Sequence, residues 1–403
     1  MSAPTRILFF AETVTLAHLA RPIALAKGLD ATSHDITIAC DPRYQRFLAE
    51  APWRTVPLSS ISSQQFLNAL AQGKPVYDEE TLRRYVEDDL RIIREIQPDV
   101  IVGDFRLSLS VSARLAAIPY LTISNAYWSP FYIGDGFPLP VLPLSQRLPL
   151  PLARGIFRIA QPIAFRLHCR PMNAIRRAYG LPSLGSDLRR IYTDADRTLY
   201  ADIPELFPTE HLPAHHEYMG PILWSPPVAK PAWWERLPDD RPIVYLTLGS
   251  SGQGTLLPLI LQALAELPVT VIVATAGAGM IGTIPDNVFM ADYLPGTEAA
   301  ARAQLVVCNG GSLTCQQALA AGVPILGIAS NMDQFLNMNA LDKAGAGRLL
   351  RADRLDVTAV RNTARALLAE LNYTTNARRL ADTQTHYAAT TRFAAAVRTA
   401  AHS

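Results

Sequence analysis

A metal-ligand spacing, an internal repeat and a long apolar run are all missing from this sequence. The four cysteines, Cys40, Cys169, Cys308 and Cys315, form no C-x-x-C pair. That excludes zinc-ribbon and thioredoxin-type sites and reads as buried, reduced thiols in a cytoplasmic protein. His211, His215 and His216 lie close together, but no Cys or carboxylate completes a ligand spacing. A surface loop is the expectation there, and no metal is predicted. No window reaches about 18 uninterrupted apolar residues, so no spanning helix is expected. The apolar residues 7–10 are too short for a signal core and run into Glu12. Charge of one sign is lacking as well. The net charge is +2 and no basic cluster is interleaved with aromatics, so nucleic acid is not an expected partner.

What is there is ordinary core material. Of 403 residues, 49% are hydrophobic and 18% charged, enough for two domains. Residues 6–10, 35–39, 99–102, 119–123 and 197–201 read as strands, with helices over 19–29, 82–96 and 107–115. Strand and helix alternate with short joints, which predicts a parallel sheet with right-handed crossovers. The rhythm resumes with strands over 243–248, 269–275, 287–290, 305–307 and 323–327, and helices over 256–267 and 314–321. Between the two lies 224–242, with five prolines and the pair Trp233-Trp234, which reads as a linker. Residues 354–403 read as two helices. The fold class is therefore α/β, doubly wound in each half.

The most informative stretch runs from Cys308 to Asn339, CNGGSLTCQQALAAGVPILGIASNMDQFLNMN. Gly310-Gly311 turns the chain at a strand's carboxyl end and a helix amino end, where backbone N–H groups and the helix dipole favour an anion such as phosphate. Gly249-Ser250-Ser251-Gly252 is a second turn of this kind. Asp333-Gln334 follows the next strand, where open α/β sheets place ligands. In the first half, His18 and Asp104 each follow a strand on the same sheet edge. Imidazole suits proton transfer near neutral pH, and a carboxylate can fix its tautomer. The lesser alternative for Asp104 is an N-cap for the helix beginning near Leu107, and Arg106 and Ser108 stand near enough to compete for it.

The stretch resembles the donor-binding signature of family 1 glycosyltransferases, the UDP- or dTDP-sugar-dependent enzymes that include bacterial macrolide and natural-product glycosyltransferases. Gly310, Gly311, Thr314, Ala321-Gly322-Val323-Pro324, Asp333-Gln334 and Asn337 stand in the family's order and spacing. Two positions depart: Asn309 replaces a His and Gln317 a Glu. The resemblance implies two Rossmann-like domains facing each other across a cleft, the GT-B fold. Residues 1–223 would bind the acceptor and 243–380 the nucleotide sugar, with 381–403 packing back on the first domain. It implies an inverting transfer of a sugar to a hydroxyl of an apolar small molecule, without a cofactor or an obligatory metal.

On the same basis His18 is the general base and Asp104 its orienter. Gly249, Ser250, Ser251, Asn309, Gly310, Gly311, Ser312 and Thr314 hold the diphosphate side of the donor. Tyr293 and Leu294 meet the base, Gln317 the ribose, and Asp333 and Gln334 the sugar. A neutral Gln317 accepts more weakly from a ribose hydroxyl pair than a carboxylate, which favours dTDP over UDP. Trp128, Phe131, Tyr132 and Phe137, with the proline-rich run 138–151 and a helix over 153–168, read as the acceptor wall. A weak membrane contact is a further reading, since Phe157, Ile159, Ile163 and Phe165 with Arg158, Arg166 and Arg170 make an amphipathic face. Two alternatives stay open: a non-catalytic nucleotide-sugar-binding helper, and a lipid-acceptor sugar transferase at the membrane surface. The acceptor, the sugar and the oligomeric state are not legible.

Overall fold

The structure, a computed structural model, describes residues 3–277 and 284–402. The chain divides into two units. The first comprises Met1–Gly136, Gly155–Ile222 and Tyr387–Ser403, and the second Phe137–Arg154 and Leu223–His386.

The first unit carries seven strands: β1 (Thr5–Ala11), β2 (His34–Cys40), β3 (Arg54–Pro57), β4 (Val100–Asp104), β5 (Tyr120–Ser124), β6 (Arg197–Tyr200) and β7 (His216–Tyr218). They form one parallel sheet in the order β3-β2-β1-β4-β5-β6-β7. Every residue of β4 and β5 is buried, as expected of strands covered on both faces. The winding direction reverses between β1 and β4, and such a switch point opens a crevice at the strands' carboxyl ends. The edge strands β3 and β7 were not expected from the sequence. Each is short, and β3 buries only Val56, so neither presents an apolar run.

The helix Ala389–Ala401 belongs to this unit. Its Phe393 meets Phe9 with ring centroids 5.8 Å apart, and Arg392 Nη1 donates to the Tyr218 carbonyl at 3.1 Å. Gly28 is required beneath it, because a Cβ there would stand 2.4 Å from Thr390 Cγ2. The two helices expected over 354–403 are three, Val357–Ala369, Leu371–Gln384 and Ala389–Ala401.

The second unit has six strands: β8 (Ile243–Thr247), β9 (Thr270–Ala274), β10 (Val288–Ala291), β11 (Leu305–Cys308), β12 (Ile325–Ala329) and β13 (Gly347–Arg351). Its parallel order is β10-β9-β8-β11-β12-β13, with the switch point between β8 and β11.

Residues 137–154 pack here and not with the first unit, which corrects the boundary expected from sequence. Prolines leave this segment's carbonyls without local partners, and arginines of the second unit take them. Arg351 Nη1 donates to Leu139 O at 2.6 Å and Arg354 Nη2 to Ser145 O at 2.9 Å. Val141 N reaches Ser330 O at 2.7 Å, and its side chain joins the second unit's apolar core. The helix expected over 153–168 runs from Leu150 to Ala178, through Pro162 and Pro171.

Candidate active site

His18 sits in the first turn of the helix Ala17–Lys27, just past β1, and Asp104 is the last residue of β4. The β1–β4 register sets Ala11 beside Asp104, so the two side chains share the switch point. His18 Nδ1 lies 2.8 Å from Asp104 Oδ1, and the carboxylate is fully buried. An ionised carboxylate only accepts, so this contact calls for the proton on Nδ1 and leaves the Nε2 lone pair able to accept one. Phe105 follows at φ +59° and lays its ring against the imidazole, centroids 4.9 Å apart and planes 13° from parallel. A left-handed backbone at a bulky residue is a strained conformation that aims a side chain. Asp104 does not cap the next helix, whose N-cap is Ser108.

Sequence reasoning missed Arg21. One turn after His18, its Nε donates to Asp104 Oδ2 at 2.7 Å and its Nη2 to Oδ1 at 2.6 Å. Its Nη1 holds Asn125 Oδ1 at 2.9 Å, and Asn125 Nδ2 in turn donates to Asp202 at 3.1 Å. The signal was present as a basic residue three places after the His, on the same helix face. Arg106 and Ser108, the expected competitors, turn elsewhere. Arg106 donates to Glu12 at 2.7 Å and Asp89 at 2.9 Å, with its guanidinium 3.6 Å from the Tyr85 ring centroid. Ser108 donates to Asp89 at 2.6 Å. Burial pushes the Glu12 and Asp89 carboxyls up, against the opposing pull of Arg106.

In the second unit both glycine turns follow the switch-point strands. Gly310, at φ +80°, could carry no side chain, since a Cβ would meet Met338 Cγ at 2.6 Å. Asn337 Nδ2 holds the Gly310 carbonyl at 2.9 Å. Asn309 ties the two turns together: Nδ2 donates to Ser251 Oγ at 3.0 Å, and Oδ1 accepts the Gly311 N–H at 3.0 Å. The Gly311 amide is therefore occupied, contrary to the expectation that it faces a phosphate. The helix Ser312–Ala320 begins with no side-chain cap, which leaves an anion-favouring amino end carrying Ser312 and Thr314. Gly249, at φ +61°, opens the Ser250-Ser251 turn.

Among the other candidate donor residues, Gln317 departs from expectation. Gln317 is buried at 5% exposure, and its Nε2 donates to the Trp224 carbonyl at 2.5 Å. Its amide also stands 2.9 Å from where a Gly296 Cβ would be, so the bare glycine makes room for the glutamine. The Leu294 side chain is core, which leaves only its backbone to meet a ligand. Gln334 gives its carbonyl to Ser330 N and Oγ at 2.8 and 3.0 Å, while its buried Nε2 has no partner. Tyr293 is half-buried, its hydroxyl 3.4 Å from Ala276 O, and Asp333 is half-buried beside Gln334.

Among the aromatics, Trp128 meets Tyr192 edge-on at 5.0 Å and Phe131 meets His216 edge-on at 5.3 Å. Tyr132 packs 6.2 Å from Phe207, and Phe137 falls in the second unit. His216 is no surface residue. It is buried, with Nδ1 2.7 Å from the Tyr200 hydroxyl, because β7 draws it into the sheet. Among the described residues no three His, Cys, Asp or Glu side chains gather as a metal site.

Residues 258–397 match the C-terminal domain of erythromycin biosynthesis protein CIII-like proteins. A PGL/p-HBAD biosynthesis rhamnosyltransferase of Mycobacterium bovis is 55% identical over 377 residues, covering 94% of this chain and 84% of that protein. This chain belongs to that glycosyltransferase family. A PGL/p-HBAD biosynthesis glycosyltransferase of Mycobacterium tuberculosis is 53% identical, covering 94% and 88%. An inactive PGL/p-HBAD biosynthesis glycosyltransferase of Mycobacterium bovis is 51% identical over 261 residues, covering 65% and 71%. Among solved structures, the spinosyn rhamnosyltransferase SpnG superposes with a TM-score of 0.70 at 19% identity, over 98% of this chain and 99% of that one. The glycosyltransferase VinC, solved in complex with dTDP, gives 0.69 at 19% over 99% and 100%. The fold is thus that of the two-domain GT-B glycosyltransferases, built from two Rossmann-like α/β units.

Proposed function

We propose that this glycosyltransferase moves a sugar, with inversion, from a dTDP- or UDP-sugar to a hydroxyl of an apolar small-molecule acceptor. The observation that carries the reading is His18 Nδ1 held by the buried Asp104 at 2.8 Å at the switch point of the first sheet. His18 Nε2 takes the proton of the acceptor hydroxyl, and the oxygen bonds to the anomeric carbon. The bond from that carbon to the diphosphate breaks, and the electron pair leaves with the nucleotide. The uncapped amino end of Ser312–Ala320 and the Gly249–Ser251 turn receive the diphosphate. Asp333 and the unsatisfied Gln334 Nε2 are offered to the sugar. Two solved relatives of the same fold were captured with dTDP or thymidine diphosphate, which supports a nucleotide donor. A rhamnosyl donor is supported by the rhamnosyltransferase relatives.

The Gln317 argument for dTDP over UDP loses its footing, since the amide is spent on Trp224. The inactive relative keeps the helper reading in play, and the paired His18 and Asp104 support catalysis. The experiment is to incubate the purified chain with dTDP- and UDP-sugars and phenolic or lipid acceptors, and to follow glycoside formation together with nucleotide release. Glycoside product that disappears in His18→Ala supports catalysis. Nucleotide binding without product across the panel supports the helper.

A further inference from the structure

The helix Leu150–Ala178 leaves a stripe of large apolar side chains in water. Ile159 is 78% and Ile163 64% exposed, with Ile156 and Leu167 also exposed. Their spacing of three, four and four residues puts them on one helical face. Arg166 and Arg170 continue that face, and Arg158 stands exposed at its flank. The opposite face is anchored: Phe165, Cys169, Met172 and Ile175 are buried in the first unit. This corrects the sequence expectation for the amphipathic face, since Phe165 points inward and Phe157 is half-buried.

The charge on this segment is one-sided. Residues 155–186 hold five arginines and no Asp or Glu, although the chain as a whole balances 37 basic against 35 acidic residues. Arg176 is buried on Asp194 at 2.7 Å. Arg158, Arg166, Arg170 and Arg177 are exposed, and none makes an ion pair among the described residues. A self-contact of two such helices would set arginine against arginine with no carboxylate of residues 155–186 to answer it. No helix among the described residues is long and apolar enough to cross a membrane.

We infer that the face from Ile156 to Arg170 seats on an anionic lipid bilayer, its isoleucines entering the headgroup boundary and its arginines meeting lipid phosphates. Isoleucine burial and arginine–phosphate attraction are the two terms by which amphipathic helices bind such surfaces. Arginine is the better donor here, because its fork matches a phosphate's oxygens. The inference rests on this face alone and not on the reading of the active site.

The test is flotation of the full chain with vesicles of phosphatidylglycerol and phosphatidylcholine, and with phosphatidylcholine alone. The wild type floats with the anionic vesicles and is released as salt rises from about 0.05 to about 0.5 M. Ile159→Ser with Ile163→Ser lowers vesicle affinity at least about tenfold at unchanged Tm, because both side chains are already in water in the free protein. Arg158→Gln, Arg166→Gln and Arg170→Gln together abolish the preference for phosphatidylglycerol. The inference is overturned by a wild type that does not float, by binding that ignores lipid charge and salt, or by serine variants that bind as the wild type does. It is equally overturned if sedimentation shows a dimer that the serine variants dissolve and no vesicle binding, because the face would then serve a second copy.

Discussion

Replacing His18 by Ala should cost about 10²–10⁴ in turnover with nucleotide affinity retained, the share a positioned general base supplies; full turnover in the variant would remove it from the mechanism. Arg21 acts one step back, as a positioning residue. It divides the Asp104 charge between a guanidinium and an imidazole, and its Nη2 stands 3.2 Å from His18 Nδ1. Arg21→Met removes the fork that holds both Asp104 oxygens, so kcat should fall about tenfold with nucleotide affinity retained, and Arg21→Lys should partly restore it. An unchanged kcat would reduce Arg21 to packing. His18 and Asp104 were legible because they follow apolar strands. Arg21 was not, because a charged residue inside a helix reads as solvated surface until the carboxylate it faces is known.

At the scale of elements, the Asn309 bridge joins two turns that lie far apart in the chain. Asn309→Ala frees the Gly311 N–H but loses the tie to Ser251, and dTDP affinity measured by calorimetry should fall about tenfold, the worth of about one hydrogen bond. Gln317→Glu sets a carboxylate against the Trp224 carbonyl in a buried place and should cost about 1–3 kcal/mol of stability, read as a lower Tm. The edge strand β7 brings a pH dependence. Burial, and then the charge of His215, lower the His216 pKa to about 4 from its ordinary 6.5. The unfolded chain then takes up the proton first, so stability is intact above 6.5 and falls as pH drops toward 4. His216→Phe should flatten that loss in melts between those limits. Central strands were readable because both faces are apolar, whereas β3, β7 and the carboxyl-terminal third of the Leu150–Ala178 helix were not. The expected helix stopped at 168, short of Pro171, yet the buried stripe around Phe165 and Met172 offsets the bond and the clash that a proline costs and carries the helix on to Ala178.

For the whole molecule, the α/β class and two-unit plan follow from strand–helix alternation that tertiary packing did not override. The segment 137–154 was assigned to the wrong unit, because sequence order is a poor guide to which arginine will answer a free carbonyl. The last helix, with Phe393 against Phe9, gives the chain a particular schedule. During synthesis the first unit's strands emerge early, but the partner that covers β1 leaves the ribosome only after the second unit's strands and helices. Until then Phe9 lacks its Phe393 neighbour, and the first unit's sheet waits for its cover until the last residues are made. The second unit, by contrast, has all its pieces once His386 is out.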